Sequence, residues 1–593
     1  GQYAFSNYDK DFISRCKKYE NNIIVAGKNF GCGSSREQAV YALQENNVKA
    51  VIAYSFPDIF YRNCINNGLP AILIEEKINW QNSQEIIIDL EKKIIIYQDK
   101  KIKIKNPDED IKTFRLGGKL GKIRQQLADI LLKKIKRFDW TKTKIKTNKP
   151  QTIVEKIISV HLNRPVFAGE KIDLPIDILF FNEVIGPPAI KDFYQQFTDI
   201  FKKYKKPIKV FDNKRIFFIP DHTVPSSSVA VSEGIDLMEK FSRQQKTFCY
   251  KEGDGIEHVV LIEDGYILPG EIILGTDSHT CTNGAFNALA FGVGTTDATY
   301  ALATGYLYDF EVPKTIRFNL YGKFKKGVYG KDLILYLIGL LGVDGASKKI
   351  IEFGGPALKN ISLEQRITIA NMGVEMGARS AIFEADEITI NYIKNKAKFP
   401  YQIFLPDKNC QYEKIFEIDL SELEPCVAFP HKPGNVTFIS QIKSYLKKSR
   451  KQNTIDFPAV KSLKITDAFL GACTNGRYED FVEAAKILKG KKIHPKVNFV
   501  VIPASRKVYN RLLKEGILQI FAEAGANIES SNCGPCFGKH MGVIGKGAQM
   551  ISSSNRNYIG RMGSKEAKIF LASPVTVAAA AITGKIVDPR KFL

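Results

Sequence analysis

Two short loops far apart in the chain constrain it most: Gly471-Ala472-Cys473-Thr474-Asn475 and, about sixty residues later, Asn532-Cys533-Gly534-Pro535-Cys536. A Cys-x-x-Cys on a Gly-Pro turn can present two sulfurs to one metal, and a third cysteine in a Gly/Thr/Asn loop can complete a trigonal face. A closed structural zinc site wants a fourth Cys or His, and a saturated iron-sulfur cluster takes four thiolates. Three ligands therefore suggest a catalytic metal with an open corner, in a fold that brings both loops to one point.

Two rival readings of the thiols stay open on local spacing. They can be inert and buried, or Cys533 and Cys536 can form a redox dithiol of the thioredoxin kind, whose reactivity comes from a lowered thiol pKa. Asn532 in place of an aromatic, and a position near the end of a long chain, argue against the dithiol.

With 593 residues, 44% hydrophobic and 25% charged, the chain is long enough for roughly four domains. Ten irregularly placed cysteines are too few for a secreted disulfide scaffold of this size, so a reducing, cytoplasmic compartment is expected. No apolar run approaches the roughly eighteen residues of a membrane span, and Gly1-Gln2-Tyr3 is neither a signal peptide nor a transit sequence. A start at Gly1 reads as a fragment or a processed terminus. The formal charge of +23 suggests phosphate contacts. Its lysines, however, are mixed with isoleucine and asparagine along the whole chain, so a solvated surface is favoured over a nucleic-acid partner.

Asn22 to Phe30 reads as a strand, followed by the turn Gly31-Cys32-Gly33-Ser34-Ser35-Arg36-Glu37, a helix through Asn46 and a strand from Val48 to Ser55. In such a βαβ unit the turn before the helix offers free N–H groups to an anion, and Arg36 adds a fork that fits a carboxylate. An alternating segment runs from about Glu85 to Lys105, and Lys119 to Phe138 reads as a basic amphipathic helix. Trp140 to Thr152 has no apolar periodicity and is expected to be a linker.

Beyond it, α/β alternation carries polar clusters: Asp221-His222, His258, Asp277-Ser278-His279, Glu352, Asn555-Arg556-Asn557 and Gly560-Arg561. Such a set is suited to binding and protonating a polycarboxylic acid.

The stretches GTDSHTCTNGAFNALAFGVGTTDATYALATG, GACTNGR, NCGPC, SNRNYIGR and NFGCGSSRE resemble signatures of the aconitase superfamily, within it the 3-isopropylmalate dehydratase and homoaconitase branch. The likeness covers nearly the entire chain. It implies an α/β fold with a three-domain cluster-binding core over 153–593, a separate swivel domain over 1–138 and a linker over 139–152. The swivel lies first, as though a small subunit had been fused ahead of a large one, and the chain begins at the equivalent of a Gly-Arg-Tyr, with Gln2 for the arginine.

The resemblance further implies a [4Fe-4S] cluster on Cys473, Cys533 and Cys536, and Ser34 as catalytic base. It implies Ser35, Arg36, Arg556 and Arg561 as substrate ligands, and carboxylate-imidazole pairs of Asp221 with His222, His258 with Asp277, and His279 with Glu352. The substrate it implies is a small hydroxy di- or tricarboxylic acid, isomerised by loss and return of water. Tricarboxylate branches place an arginine in the loop after Gly-Arg-Tyr. Here Tyr3-Ala4-Phe5-Ser6-Asn7 carries no cation before Lys10, and Phe5 with Ala4 suits a branched alkyl group. The expectation is therefore interconversion of 2- and 3-isopropylmalate in leucine biosynthesis. Homoaconitase or aconitase action is the alternative, and RNA binding by a cluster-free form is an alternative of another class.

Overall fold

The computed structural model describes the chain except for residues 1–3, 6–8, 10, 29, 32–37, 83, 136–138, 453, 455–457, 459 and 461. The chain divides into two compact units, residues 1–136 with 197–208, and residues 137–196 with 209–593.

In the first unit the strands Asn22–Val25, Val48–Ala53 and Ala71–Leu73 form a parallel sheet, with the helices Gln38–Gln44 and Asp58–Asn67 in the connections. Val51, Ile52, Ile72, Phe60 and Cys64 bury its core. Residues 87–103 make a three-stranded antiparallel sheet, in keeping with the alternation of their sequence. The basic amphipathic helix runs over Gly118–Leu131 and buries Ile123, Leu127 and Ala128. Its start lies so close to the end of the Asp58–Asn67 helix that a Cβ on Gly118 would stand 2.4 Å from the Gly68 nitrogen. Both glycines also have left-handed φ, 66° and 89°, so neither position takes a side chain without a backbone shift.

The second unit contains three sheets whose central parallel strands, such as Ile178–Phe181, Ile272–Gly275 and Ile350–Gly354, are buried on both faces, which is why their sequences are nearly continuous apolar runs. One has the order Phe248–Cys249, Ile216–Phe218, Ile178–Phe181, Ile272–Gly275 and Leu289–Gly292, all parallel. A second, also all parallel, joins Ser380–Phe383, Ile350–Gly354, Thr315–Tyr321 and Lys414–Asp419. The third has seven strands. Lys568–Ala572, Gln549–Ser552, Asp467–Leu470, Asn498–Val501 and Asn527–Ile528 run parallel, and an antiparallel edge is made by Cys426–Ala428 and Val436–Phe438. In open parallel sheets, ligand sites form beyond the carboxyl ends of the strands. Asp221-His222, Asp277, Cys473, Asn532 to Cys536 and Ser553 to Arg556 all lie just past such ends.

Residues 139–152 carry only the short 3-10 turn Trp140–Lys142. They are nonetheless fastened. Trp140 is buried, donates its indole N–H to Asp177 at 2.9 Å and stacks on His161, while Thr152 closes a capping box with Glu155 at the start of the Ile153–Leu162 helix. Among the described residues no helix is long and apolar enough to cross a membrane.

Candidate active site

Cys473 sits in the first turn after the Asp467–Leu470 strand, entered through Ala472 at a left-handed φ of 65°, which a residue with a Cβ rarely adopts. Cys533 caps the tight 3-10 turn Gly534–Phe537 and Cys536 lies within it, and the Asn532 side chain accepts the Gly534 N–H at 2.6 Å. All three thiols line one open pocket with about 320 Å³ of empty space, together with Asp221, His222, His258, Asp277, His279, Asn555 and Arg561. Burial raises the thiols of Cys473 and Cys533 well above their ordinary value. That is the opposite of the lowered pKa a reactive dithiol needs, and it leaves deprotonation to a bound metal.

The surroundings suit thiolates. Asn371 donates to the Cys473 sulfur at 3.1 Å and Asn555 does so at 3.6 Å, while the Cys536 thiol donates to the Asn555 side-chain oxygen at 3.2 Å. Three sulfurs in one pocket with amide donors, and no fourth thiol among the described residues that line it, fit a cluster with one open corner.

In the same pocket, Asp277 is the hub of three imidazoles. Its carboxylate lies 3.0 Å from His258 Nε2, 3.2 Å from His279 Nδ1 and 3.4 Å from His222 Nε2, and it accepts the His279 backbone N–H at 2.7 Å. Burial works to raise the Asp277 carboxyl, yet the three imidazoles hold it well below the usual carboxylate range. His222 Nδ1 meets Asp221 at 2.5 Å. Burial disfavours its charged form, but Asp221 and Asp277 overcome that and lift it well above the ordinary histidine value. Glu183, just past the Ile178–Phe181 strand, accepts the backbone N–H groups of Asp221, His222 and Thr223 and so fixes this loop.

The expected pairs of Asp221 with His222 and of His258 with Asp277 are therefore present. The pairing of His279 with Glu352 is not. His279 Nε2 meets Glu375 at 3.0 Å, and the same carboxylate oxygen takes Arg556 Nε at 2.7 Å. Glu352 lies within the Ile350–Gly354 strand in register with Arg317, whose guanidinium it binds at 2.8 Å, and it also accepts from Tyr412 and from the Ile153 N–H. Its carboxylate is taken up by Arg317, Tyr412 and the Ile153 N–H.

Arg561 lines the pocket with its Nε buried and unpartnered. Arg556 uses Nε for Glu375 and makes no other side-chain hydrogen bond or ion pair among the described residues. Ser34, Ser35 and Arg36 lie outside the described residues. Phe5 packs its ring 4.7 Å from that of Phe12 and 6.2 Å from that of Phe30 in the first unit.

Glu375, Asn371, Glu183 and Glu257 belong to the site but were not singled out from the sequence. The last is fully buried with neither carboxylate oxygen hydrogen-bonded, 3.5 Å from His258 Nε2, and burial with the facing Asp221 and Asp277 raises it well above the carboxylate range. Of these four, only Glu257 lay beside a residue the sequence had marked, His258.

A sequence model of the aconitase family (aconitate hydratase) matches residues 155–584, and one of the aconitase C-terminal domain matches residues 2–77. The chain is 44% identical over 449 residues to the 3-isopropylmalate dehydratase large subunit of Aquifex aeolicus, covering 74% of this chain and 98% of that protein. It is 43% identical over 445 residues to a large subunit 1 of the same name from Pyrococcus furiosus, covering 74% and 99%. A solved 3-isopropylmalate dehydratase from Methanocaldococcus jannaschii is 37% identical over 22% of this chain and 78% of its own, with a TM-score of 0.20. The chain belongs to the aconitase family.

Proposed function

We propose that the chain is a hydro-lyase that interconverts 2- and 3-isopropylmalate by removing water and returning it at the adjacent carbon. The observation that carries this reading is the single pocket that three thiols share with the Asp277 hub and Arg561. Cys473, Cys533 and Cys536 would hold a [4Fe-4S] cluster, which when bound supplies Lewis acidity toward the departing hydroxyl.

The chain's own groups do the rest. His222, kept charged by Asp221 and Asp277, holds a proton for the leaving hydroxyl. Arg561 and the free end of Arg556 offer planar forks to the substrate carboxylates. Glu375 orients Arg556 and His279 together. Ser34, with Ser35 and Arg36, is assigned proton abstraction and carboxylate binding from the first unit, which we read as the swivel domain over 1–138 joined through 139–152. Phe5 is assigned to the side that admits the alkyl group. A reducing compartment such as the cytoplasm suits three uncrosslinked thiols.

Anaerobically reconstituted protein is expected to interconvert the two isopropylmalates in preference to citrate or homocitrate. Cys473→Ser is expected to abolish both turnover and the iron-sulfur absorption, and a variant that keeps both would overturn the reading.

A further inference from the structure

Lys331 is out of place by every ordinary criterion. It is 1% exposed, and among the described residues its ammonium forms no ion pair. It also stands in the first turn of the Gly330–Leu341 helix, where the helix dipole disfavours a cation. Its hydrogen bonds go to two backbone carbonyls, those of Ser553 and Ser554, both at 2.6 Å. The carboxylates that face it are engaged elsewhere. Asp480 accepts from Asn475 and from the Arg477 N–H, and Asp332 accepts from the N–H groups of Tyr329 and Cys426. Burial accordingly pushes Lys331 down to about 7, opposed by Asp480, Cys536, Asp332 and Cys473. A buried cation without a counter-ion is costly, and it persists where an anion completes the charge balance.

The turn it grips leads directly to the sulfurs. Ser553 and Ser554 precede Asn555, whose side chain touches the Cys536 and Cys473 sulfurs, and Arg556, which pairs with Glu375. Arg477 grips the other loop in the same manner, donating to the carbonyls of Cys473 at 2.6 Å and Thr474 at 2.7 Å.

We infer that Lys331 is a positioning residue for the cofactor: its ammonium, held against the Ser553 and Ser554 carbonyls, supplies the buried positive charge that balances the thiolate-bound cluster and sets the Asn555 turn. This rests on the cluster assignment above. Lys331→Gln keeps an N–H donor and removes the charge, whereas Lys331→Arg keeps both. The parent and both variants are reconstituted anaerobically, and the cluster potential is followed by an EPR-monitored reductive titration, alongside the rate of bleaching in air and the thermal midpoint of the apoprotein.

With the charge gone, the reduced, more negative cluster loses its balance. Lys331→Gln should therefore shift the potential to more negative values and lose its cluster in air about tenfold faster, while Lys331→Arg stays near the parent. The apoprotein of Lys331→Gln should melt no lower than the parent's, because an uncompensated charge has been removed. An unchanged potential in Lys331→Gln, an equal shift in Lys331→Arg, or a Lys331→Gln apoprotein that melts well below the parent would each overturn the inference. A parent that takes up no cluster refutes the assignment on which it rests, and the inference with it.

Discussion

Glu375→Gln and Glu352→Gln, made separately, distinguish the acid that serves the pocket from the one that only resembles it in sequence. Glu375 is almost fully buried and receives His279 Nε2 at 3.0 Å and Arg556 Nε at 2.7 Å on one oxygen. His279 and Arg556 draw its carboxyl below the ordinary value although burial raises it, so both contacts are made to a charged group. Hydrogen bonds to charged groups contribute about 1.5–3 kcal/mol each, and a glutamine oxygen retains only part of one. A loss of about 3 kcal/mol, expressed as misplacement of Arg556 and His279, corresponds to a fall of roughly 10²-fold in kcat/KM.

Glu352→Gln breaks a buried pair with Arg317, which keeps its second partner Glu384. It should lower the unfolding midpoint by a loss of about 2–4 kcal/mol while kcat/KM stays within about threefold. Steady-state kinetics on isopropylmalate and thermal melts of both variants give the answer. A Glu352→Gln enzyme that loses turnover while Glu375→Gln keeps it would refute the assignment of the imidazole's partner.

Three further outcomes are expected. His222 is raised in the folded chain, so its contribution to stability is complete below its unfolded value of about 6.5 and is lost as pH rises through the folded value. Urea unfolding from pH 6 to 10 should decline on the alkaline side, and His222→Gln should flatten that limb. Arg366, fully buried, binds Asp386 through two nitrogens and the carbonyls of Ile361 and Leu358. Arg366→Ala should destabilise the second unit by about 3–5 kcal/mol in denaturant titration, with iron uptake by folded protein unchanged. Phe5→Arg should shift kcat/KM from isopropylmalate toward homocitrate, and a parent that already prefers the tricarboxylate would remove the basis for that assignment.

Residues that act through local chemistry were readable before any fold was known. Cys533 and Cys536 share one turn, and Asp221 and His222 are adjacent, so spacing alone brings each pair together. Asp277 and His279 are likewise two residues apart and make both a side-chain and a backbone contact. The α/β alternation beyond residue 152 was legible as well, and it became parallel sheets. Glu375 was hidden because it lies in the helical, mostly apolar stretch Asn371 to Gly377, ninety-six residues from the histidine it serves, and only packing brings them together. Glu352 misled for the complementary reason. A lone acid in a buried strand looks functional until the next strand is seen to place Arg317 in register beside it. Lys331 gave no signal, since nothing in the sequence around a single lysine beside Asp332 tells whether that turn is buried.

The central claim is that Cys473, Cys533 and Cys536 form one cofactor site serving the Asp277 hub. The most direct test is iron content and isopropylmalate turnover, measured on the same anaerobically reconstituted samples of the parent and of Cys473→Ser, Cys533→Ser and Cys536→Ser. About four irons per chain are expected in the parent, with the joint loss of cluster absorption and turnover in every serine variant. Turnover that persists in any variant lacking the cluster, or a parent that binds the cluster and leaves isopropylmalate unchanged while converting citrate, would contradict that claim.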